Sequence, residues 1–367
     1  MALWKKNVAL LIVVILIVLG ALERKNIYKI FRKEKVKSSI PMDHSSVTEI
    51  KNIGRPISIT KDKDGNFYTC DFSGHNVKIL DSNFSLIKQI GKDVKGSNPG
   101  EFNVPHAVDF DAAGNFYVTD YANKRIQKFS PSGEFLSIIN FERALAGPAT
   151  AYFDKNYNLY ISDFDSNSLI KSTKDGKLLG WIGAKIDGTL TDGWELSGSP
   201  AQSAEPGGFY KLHSAKFSDD GIMYVIDSHN NRVQRFSEDG KFMGWIGAKE
   251  DGLLTNGWEM TGKAISTDVP GGFNIPVAMD FINGEEIAIL EYGNPRIQKF
   301  SKDGKFLGWY GGTQDSKVTD GWQITGLPRE GTDVGAFKNA YDLKVYGNKV
   351  YVADTGNYRL QIIDFHP

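Results

Sequence analysis

Short runs of alternating hydrophobic and polar residues, each ended by Gly, Asn, Asp or Pro, make up most of the chain after residue 44. Within 103–139 the runs are NVPHAVDF, FYVTD, RIQKFS and EFLSII, separated by AAGN, YANK and PSG. β-Branched and aromatic runs bounded by turn residues are typical of strands. No stretch after residue 44 shows the 3.6-residue apolar period of a helix. The pattern predicts an all-β protein in which this segment forms four strands.

The same pattern recurs six times. Four strong copies of one phrase read DYANKRIQKF (120–129), DSHNNRVQRF (227–236), EYGNPRIQKF (291–300) and DTGNYRLQII (354–363). Weaker copies lie at 71–80 and 163–172. Self-similarity at a period of 43 to 64 residues indicates a repeat architecture. Six four-stranded units predict a closed six-bladed β-propeller, because closure leaves only short sheet edges.

The last unit lacks a strand. It has three strand-like runs within 340–365, and the sequence then ends at Pro367. The segment SVTEIKNI at 46–53 precedes the first full unit and resembles an outer strand such as GKFMGWIG at 240–247. An incomplete terminal repeat would leave an exposed sheet edge. We therefore expect the N-terminal segment to complete the last blade.

These residues also carry a family resemblance. A Pro, an apolar strand, a Gly turn, YVTD or YVAD, and then N-x-R-[IVL]-Q-x-F resemble the NHL repeat over nearly all of 45–367. The resemblance implies a six-bladed propeller of the NHL type. The first and third units depart from the pattern, since Gly74, Asn76, Ser166 and Ser168 replace its Asn and Arg. Fold alone does not assign function.

A hydrophobic segment opens the chain. Residues 8–22 (VALLIVVILIVLGAL) are uninterrupted apolar residues or Gly, and fifteen helical residues span only about 22 Å. A cleaved signal peptide is the alternative, but no A-x-A-like site follows. We predict a transmembrane helix that anchors the protein within 1–25, a basic juxtamembrane linker or helix at 26–43, and a propeller at 44–367.

Two signals disagree about the side of the membrane on which the propeller lies. Seven basic residues follow the apolar run and two precede it, which by the positive-inside rule favours a cytoplasmic propeller. The family resemblance implies the opposite, because membrane-anchored propellers of this kind face outward. We expect a single-pass protein with an extracytoplasmic propeller, and the cytoplasmic alternative stays open.

Charge bears on the class of partner. The first 37 residues contain nine Lys or Arg and two Asp or Glu, so the remainder has 34 basic and 42 acidic residues. Such an acidic body lacks the positive surface that phosphate binding needs. We expect no nucleic-acid partner.

Three related insertions at 184–208, 248–272 and 312–336 lengthen the third to fifth units, and six of the seven tryptophans lie in them or in the strand ends just before them. Trp181, Trp245 and Trp309 end strands, and we expect them to pack the insertions in place. The second set lies in Gly-Trp turns, and we predict that it binds a protein or glycan partner: Trp194, Trp258 and Trp322. Packing of this second set onto a neighbouring blade is an equal alternative.

The repeated Asp and Arg are interpreted as structural, because a residue present in every blade serves the blade. The innermost strands differ more. The residue after their Pro position is, in order, Ile57, His106, Ala149, His213, Val277 and Tyr341. The three polar members fall in alternate blades, so they should converge on the channel axis. Two histidines and a tyrosine can bind a divalent metal such as zinc and leave one position open.

The segment NVPHAV also resembles a strand of the peptidyl-α-hydroxyglycine α-amidating lyases, whose zinc is held by histidines. Only His106 and His213 match such positions, and the third family histidine has no counterpart. Two functions therefore remain. The first is a membrane-anchored binding or scaffolding module that presents the Trp-bearing insertions and the channel mouth to its partner. The second is a metal-dependent lyase or hydrolase acting at that mouth.

Overall fold

The computed structural model describes residues 46–319 and 321–364, which form six twisted antiparallel sheets. In chain order the strands are β1 (Val47–Ile50); β2 (Thr60–Lys61), β3 (Phe67–Asp71), β4 (Asn76–Leu80) and β5 (Leu86–Gly91) of blade 1; β6 (Pro105–Phe110), β7 (Phe116–Asp120), β8 (Arg125–Phe129) and β9 (Phe135–Ile138) of blade 2; and β10 (Pro148–Phe153), β11 (Asn158–Asp163), β12 (Ser168–Thr173), β13 (Leu178–Lys185) and β14 (Pro200–Ala201) of blade 3.

The second half of the ring repeats this arrangement. Its strands are β15 (Leu212–Phe217), β16 (Met223–Asp227), β17 (Arg232–Phe236), β18 (Phe242–Lys249) and β19 (Ala264–Ile265) of blade 4; β20 (Pro276–Ile282), β21 (Glu286–Glu291), β22 (Arg296–Ser301) and β23 (Phe306–Gly311) of blade 5; and β24 (Asp342–Tyr346), β25 (Lys349–Asp354) and β26 (Arg359–Asp364) of blade 6. The predicted six-bladed propeller is confirmed.

The N-terminal strand closes the ring as predicted. Blade 6 has the order β1-β26-β25-β24, so β1 is its outermost strand. The pairing is antiparallel and runs from Val47 opposite Ile363 to Ile50 opposite Leu360. Since β1 is the first strand of the propeller and β26 is the last, this pairing links the first and last strands and closes the ring.

The hydrophobic core lies between blades. One cluster joins Cys70 and Val77 of blade 1 to Val118 and Phe129 of blade 2, and each other cluster likewise draws on neighbouring blades. Blade strands two and three are buried on both faces because each blade is sandwiched between two others. Burial on both faces explains why these strands are rich in Val, Ile and aromatic residues.

The repeated Asp and Arg form a buried ion pair that also binds the segment entering the blade. In blade 4, Asp227 Oδ2 accepts hydrogen bonds from Asn230, from Arg232 Nε at 2.8 Å and from Gln234. The Arg232 guanidinium also donates to backbone carbonyls of the connection that enters the blade, including that of Gly208. The structural interpretation of these residues is supported by equivalent pairs in three other blades: Asp120–Arg125, Glu291–Arg296 and Asp354–Arg359.

Each insertion folds back along the outer strand of its own blade. After β13 the chain turns and runs antiparallel to it, with Glu195 opposite Trp181, and β14 then pairs with Ala184 and Lys185. The second and third insertions show the same contact, with Glu259 opposite Trp245 and Gln323 opposite Trp309. The outer strands of blades 3, 4 and 5 are therefore covered, whereas β5 and β9 expose several apolar side chains.

The predicted anchor within 1–25 and the linker at 26–43 lie outside the described residues. Helical structure in the described part consists of short 3-10 turns such as Tyr121–Asn123. No helix in this part of the chain is long and apolar enough to cross a membrane.

Candidate functional site at the mouth of the central channel

The inner strands of all six blades line a central cavity of about 270 Å³. His106 and His213 are the second residues of β6 and β15, and a β-bulge interrupts the strand pairing at each of these positions. Bulges next to functional sites redirect side chains. Tyr341 immediately precedes β24, the inner strand of blade 6. These three residues stand at the starts of their inner strands and therefore at one end of the cavity.

The structure brings the three predicted residues together. The ring centroids of His106 and His213 lie 5.1 Å apart, and Tyr341 lies 6.0 Å from His106 and 5.7 Å from His213. At the equivalent positions the three intervening blades contribute aliphatic residues: Ile57, Ala149 and Val277. These side chains do not keep the three rings apart.

Burial sets the protonation of both imidazoles. Desolvation lowers the pKa of His106 to about 4, although a backbone hydrogen bond with Ala149 partly opposes this. Desolvation, and then the neighbouring His106, lower the pKa of His213 to about 3. Both rings are therefore neutral near pH 7, which leaves each with a nitrogen lone pair.

His213 has unused hydrogen-bonding capacity. Its ring is close to the Val277 backbone, yet neither Nδ1 nor Nε2 has a hydrogen-bond partner among the described residues. The adjacent Ser214 hydroxyl is also without one in that part of the chain. Buried polar groups are rarely left unpaired, so these atoms indicate a site for water, an ion or a ligand group.

A second layer of aromatic residues surrounds the three rings. Tyr292 packs on Tyr341 with centroids 5.1 Å apart, Tyr121 lies 5.8 Å from His106, and Phe164 lies 6.2 Å from His213. Our sequence analysis did not identify these residues. The signal was present, because each one directly follows the repeated acidic residue of its blade.

Arg55 stands at the same end of the cavity. Its guanidinium lies 4.8 Å from the centroid of the Phe72 ring, and its charge acts on Tyr341. Its buried Nε has no hydrogen-bond partner within residues 46–319 and 321–364. The mouth thus combines a guanidinium, neutral imidazoles and aromatic faces.

The opposite end of the cavity is charged. Three residues after the mouth position, the inner strands of blades 2, 4, 5 and 6 carry Asp109, Lys216, Asp280 and Lys344, and Asp342 joins them. Asp280 contacts Lys216 of the preceding blade and accepts a hydrogen bond from the Val345 N–H of the next. Sequence reasoning missed this ring because its five charges are spread over four different repeats.

Burial and neighbouring opposite charges shift the pKa values of the residues in this ring in opposite directions. Desolvation raises the pKa values of Asp109 and Asp342. Burial acts to lower the pKa of Lys344, but the surrounding carboxylates, led by Asp342, outweigh it and raise that pKa. The backbone N–H groups of Phe153 and Ile59, each on the next blade, also bind Asp109 and Asp342. The ring therefore connects neighbouring inner strands and supports the channel.

The separations of the three rings at the mouth are compatible with a single metal ion between them. An ion about 2.0–2.1 Å from two imidazole nitrogens in tetrahedral geometry places the ring centroids roughly 5 Å apart, and a bound phenol roughly 6 Å from each. The observed spacings are 5.1, 6.0 and 5.7 Å. Burial raises the pKa of Tyr341, which opposes binding as phenolate. In the described part of the chain no three His, Cys, Asp or Glu side chains form a metal-binding group, so a metal here depends on Tyr341.

The structure separates the two sets of tryptophans. Trp181, Trp245 and Trp309 are fully buried, and each indole N–H donates to a carbonyl of its own insertion. This agrees with the expectation that they pack the insertions in place.

Trp194, Trp258 and Trp322 are half-buried at three different blade boundaries. The Trp194 indole N–H donates to the Glu238 carbonyl of blade 4 at 2.9 Å, and Trp258 makes the equivalent bond to Lys302 of blade 5. Each of the three rings also lies under a cationic side chain of its own blade. The structure does not bring these three indoles together, and it gives each an inter-blade packing role.

Comparisons with known proteins agree with this architecture. Residues 102–129 match the family model of the NHL repeat. NHL repeat-containing protein 3 of Homo sapiens is 32% identical over 102 residues, which cover 27% of this chain and 29% of that protein. The matched segment is thus less than a third of this relative. The resemblance to NHL-repeat propellers is confirmed.

The weaker likeness to amidating lyases is also confirmed. Peptidyl-glycine alpha-amidating monooxygenase A of Xenopus laevis is 26% identical over 249 residues, covering 53% of this chain and 26% of that protein. A probable peptidyl-alpha-hydroxyglycine alpha-amidating lyase of Caenorhabditis elegans is 24% identical over 169 residues, covering 43% and 44%. The solved structure of a catalytically inactive virginiamycin B lyase from Staphylococcus aureus with quinupristin superposes with a TM-score of 0.52 at 10% identity, covering 87% of this chain and 99% of that one. At such low identity this last likeness concerns the fold alone.

Proposed function

We propose that this protein is a membrane-tethered binding module that takes a terminal group of its ligand into the mouth of the central channel. The observation that supports this most directly is His213, a buried, neutral imidazole with two unpartnered nitrogens at the wall of a cavity. A ligand group that donates or accepts hydrogen bonds there would satisfy atoms that are otherwise costly to bury.

The dimensions of the cavity limit what can enter. At about 270 Å³ it lies at the lower end of the range of ligand pockets, so it admits one end of a larger protein or glycan. The faces of Tyr121, Phe164 and Tyr292 suit a flat or aliphatic group, and Arg55 suits an acceptor. The insertions, which Trp194, Trp258 and Trp322 pack against the blade boundaries, would offer the same partner a second surface.

Binding at the mouth can be tested by substitution. We expect His213→Gln to weaken binding of responsive members of a panel of short peptides and oligosaccharides by at least tenfold, measured by calorimetry. Tyr152→Phe, at the other end of the cavity, is the matched control and should bind as the original protein does. Equal binding by the His213 variant would contradict a ligand site at the mouth.

The tether and its orientation are a separate part of the proposal. They rest on the apolar run at 8–22, on the basic residues after it and on the likeness of this propeller to outward-facing ones. Protease added to intact cells should cleave an extracytoplasmic propeller. Cleavage only after the inner membrane is opened would place it in the cytoplasm.

A metal-dependent lyase is the second candidate, and the spacing of His106, His213 and Tyr341 favours it. These residues would hold a divalent ion, which when bound would act as a Lewis acid on a substrate oxygen. Metal analysis of purified protein separates the two functions. Stoichiometric zinc, copper or iron that is lost in a His106→Ala/His213→Ala variant supports the lyase; protein that stays metal-free after incubation with zinc supports the binding module.

A further inference from the structure

Three exposed hydrophobic residues occupy the same position in the three insertions. Leu196, Met260 and Ile324 each lie two residues after the second tryptophan, and successive members are 64 residues apart. Their side chains are 68, 55 and 50% exposed. Single exposed apolar residues are ordinary, but an apolar residue at the same exposed position in three successive blades is not.

The neighbouring residues of the repeated motif have structural roles, whereas the side chains at this position are at least half exposed. The preceding tryptophan packs at the blade boundary, and the following Ser197 carbonyl accepts the Trp181 indole N–H at 3.0 Å. Leu196, Met260 and Ile324 belong to none of the hydrophobic clusters of the described residues. Packing of the blade therefore does not explain why the position is apolar.

These residues lie away from the channel mouth. The insertion runs antiparallel to β13, so Leu196 lies beyond Trp181 toward the start of that strand. Strands alternate in direction within a blade, so β13 starts at the end of the blade where the inner strand β10 finishes. His213 stands at the opposite end, where β15 begins. The three apolar residues thus form a second surface, distinct from the mouth.

The insertions also account for most of the net negative charge of the propeller. Together they contain twelve Asp or Glu and five Lys or Arg, a net of −7 in 75 residues. Residues 38–367 as a whole have 42 acidic and 34 basic residues. Nearly all of the excess therefore falls on the segments that carry the three apolar residues. Like-charged surfaces repel, so an acidic partner is disfavoured here.

We propose that Leu196, Met260 and Ile324, carried by insertions with a net charge of −7, form a docking surface for a protein segment rich in both basic and aliphatic residues. The inference rests on the proposed binding function and identifies the class of partner. It also assigns recognition to these three residues, while Trp194, Trp258 and Trp322 hold the insertions in place. Three equivalent contacts suit a repetitive or oligomeric partner, since linked contacts raise avidity.

A peptide of fourteen alternating lysines and leucines is a suitable probe, with glutamate–leucine and lysine–serine peptides for comparison. The test variant is Leu196→Ser/Met260→Ser/Ile324→Ser. The matched control is Leu86→Ser/Ile87→Ser/Leu136→Ser, which removes three apolar residues of 47–58% exposure from the uncovered blades. All six side chains are exposed, so both variants should fold.

We expect only the lysine–leucine peptide to bind the propeller tightly, with an affinity that falls as salt is raised. The insertion variant should lose at least tenfold in affinity, and the control variant less than twofold. Equal losses in both variants, or tighter binding of the glutamate–leucine peptide, would overturn the proposal. Self-association that the insertion variant abolishes would instead assign the surface to a second copy of the chain. A His213→Gln variant should bind the peptide normally, so failure at this surface is distinguishable from failure at the mouth.

Discussion

The imidazole rings of His106 and His213 lie 5.1 Å apart, although they belong to blades 2 and 4 and an entire blade stands between them. Blade 3 contributes Ala149 at the equivalent position, and its side chain is too small to separate the rings. Propeller symmetry would place six similar side chains on the axis. The departure from symmetry is what makes a polar site there.

The two histidines should make stability depend on pH. Their pKa values are lowered to about 4 and about 3, below the ordinary value of 6.5, so the unfolded chain binds protons first as pH falls. The stabilisation is complete above pH 6.5 and is lost on acidification toward pH 4. We expect each histidine to add a slope of up to about 1.4 kcal/mol per pH unit in this window. Urea unfolding between pH 7 and pH 4.5 measures it.

A His106→Phe/His213→Phe variant is the control for this slope. Buried carboxylates such as Asp109, whose pKa is raised, work in the other direction and remain in both proteins. The difference between the two pH profiles therefore isolates the histidines. Parallel profiles would show that the imidazoles are not held neutral by the fold.

The closing strand gives a second prediction. A protein that starts at Ser46 keeps β1, whereas one that starts at Lys51 lacks it and exposes the edge of β26. Loss of a four-residue ladder and of the packing of Val47 and Ile50 should cost roughly 3–5 kcal/mol. Thermal unfolding followed by circular dichroism should show a lower and broader transition for the shorter protein. Identical melting would mean that β1 does not stabilise the ring.

Much of this fold was predictable from sequence because the same strand-and-turn pattern recurs six times. The number of copies of the repeated segment that contains Asp227 and Arg232 predicts the number of blades. The missing fourth strand of blade 6 predicts that the N-terminal strand closes the ring. His106, His213 and Tyr341 could be singled out because they interrupt a repeated position, and the structure brings them together.

The remainder depends on contacts between blades. Nothing in the local pattern shows that Trp194 packs against Gly180. A Cβ added to Gly180 would lie 2.7 Å from the Cβ of Trp194. A Gly-Trp turn read alone suggests an exposed tip, yet the neighbouring blade half-buries the ring. The ring of Asp109, Lys216 and Asp280 was missed for the same reason, since its members meet only when the propeller closes.

Breaking one of the buried Asp–Arg ion pairs should lower the free energy of unfolding strongly. Arg232 and Asp227 are both fully inaccessible, and removing one partner leaves an uncompensated buried charge. Such losses are typically about 3–5 kcal/mol. We expect Arg232→Met to destabilise by that amount and Arg125→Met, whose side chain is 13% exposed, by clearly less. The free energy of unfolding in urea measures both, and the reverse order would contradict the role of burial.

The two sets of tryptophans give the last prediction. Trp181 is fully buried, so Trp181→Ala should cost about 3–5 kcal/mol. Trp194 is half-buried, donates one hydrogen bond to Glu238 and packs on Tyr160 with centroids 5.5 Å apart. We expect Trp194→Ala to cost roughly 2 kcal/mol, and Trp194→Phe, which loses chiefly the hydrogen bond, about 1 kcal/mol.

Chemical unfolding of the three variants would establish this order, and binding of the lysine–leucine peptide would separate packing from recognition. If Trp194 acts by packing, the folded Trp194→Phe protein should bind the peptide as tightly as the original, because Leu196 and its equivalents are retained. A Trp194→Phe protein of unchanged stability that no longer binds would show that the indole itself contacts the partner. In that case the docking surface would extend from Leu196 onto the blade boundary.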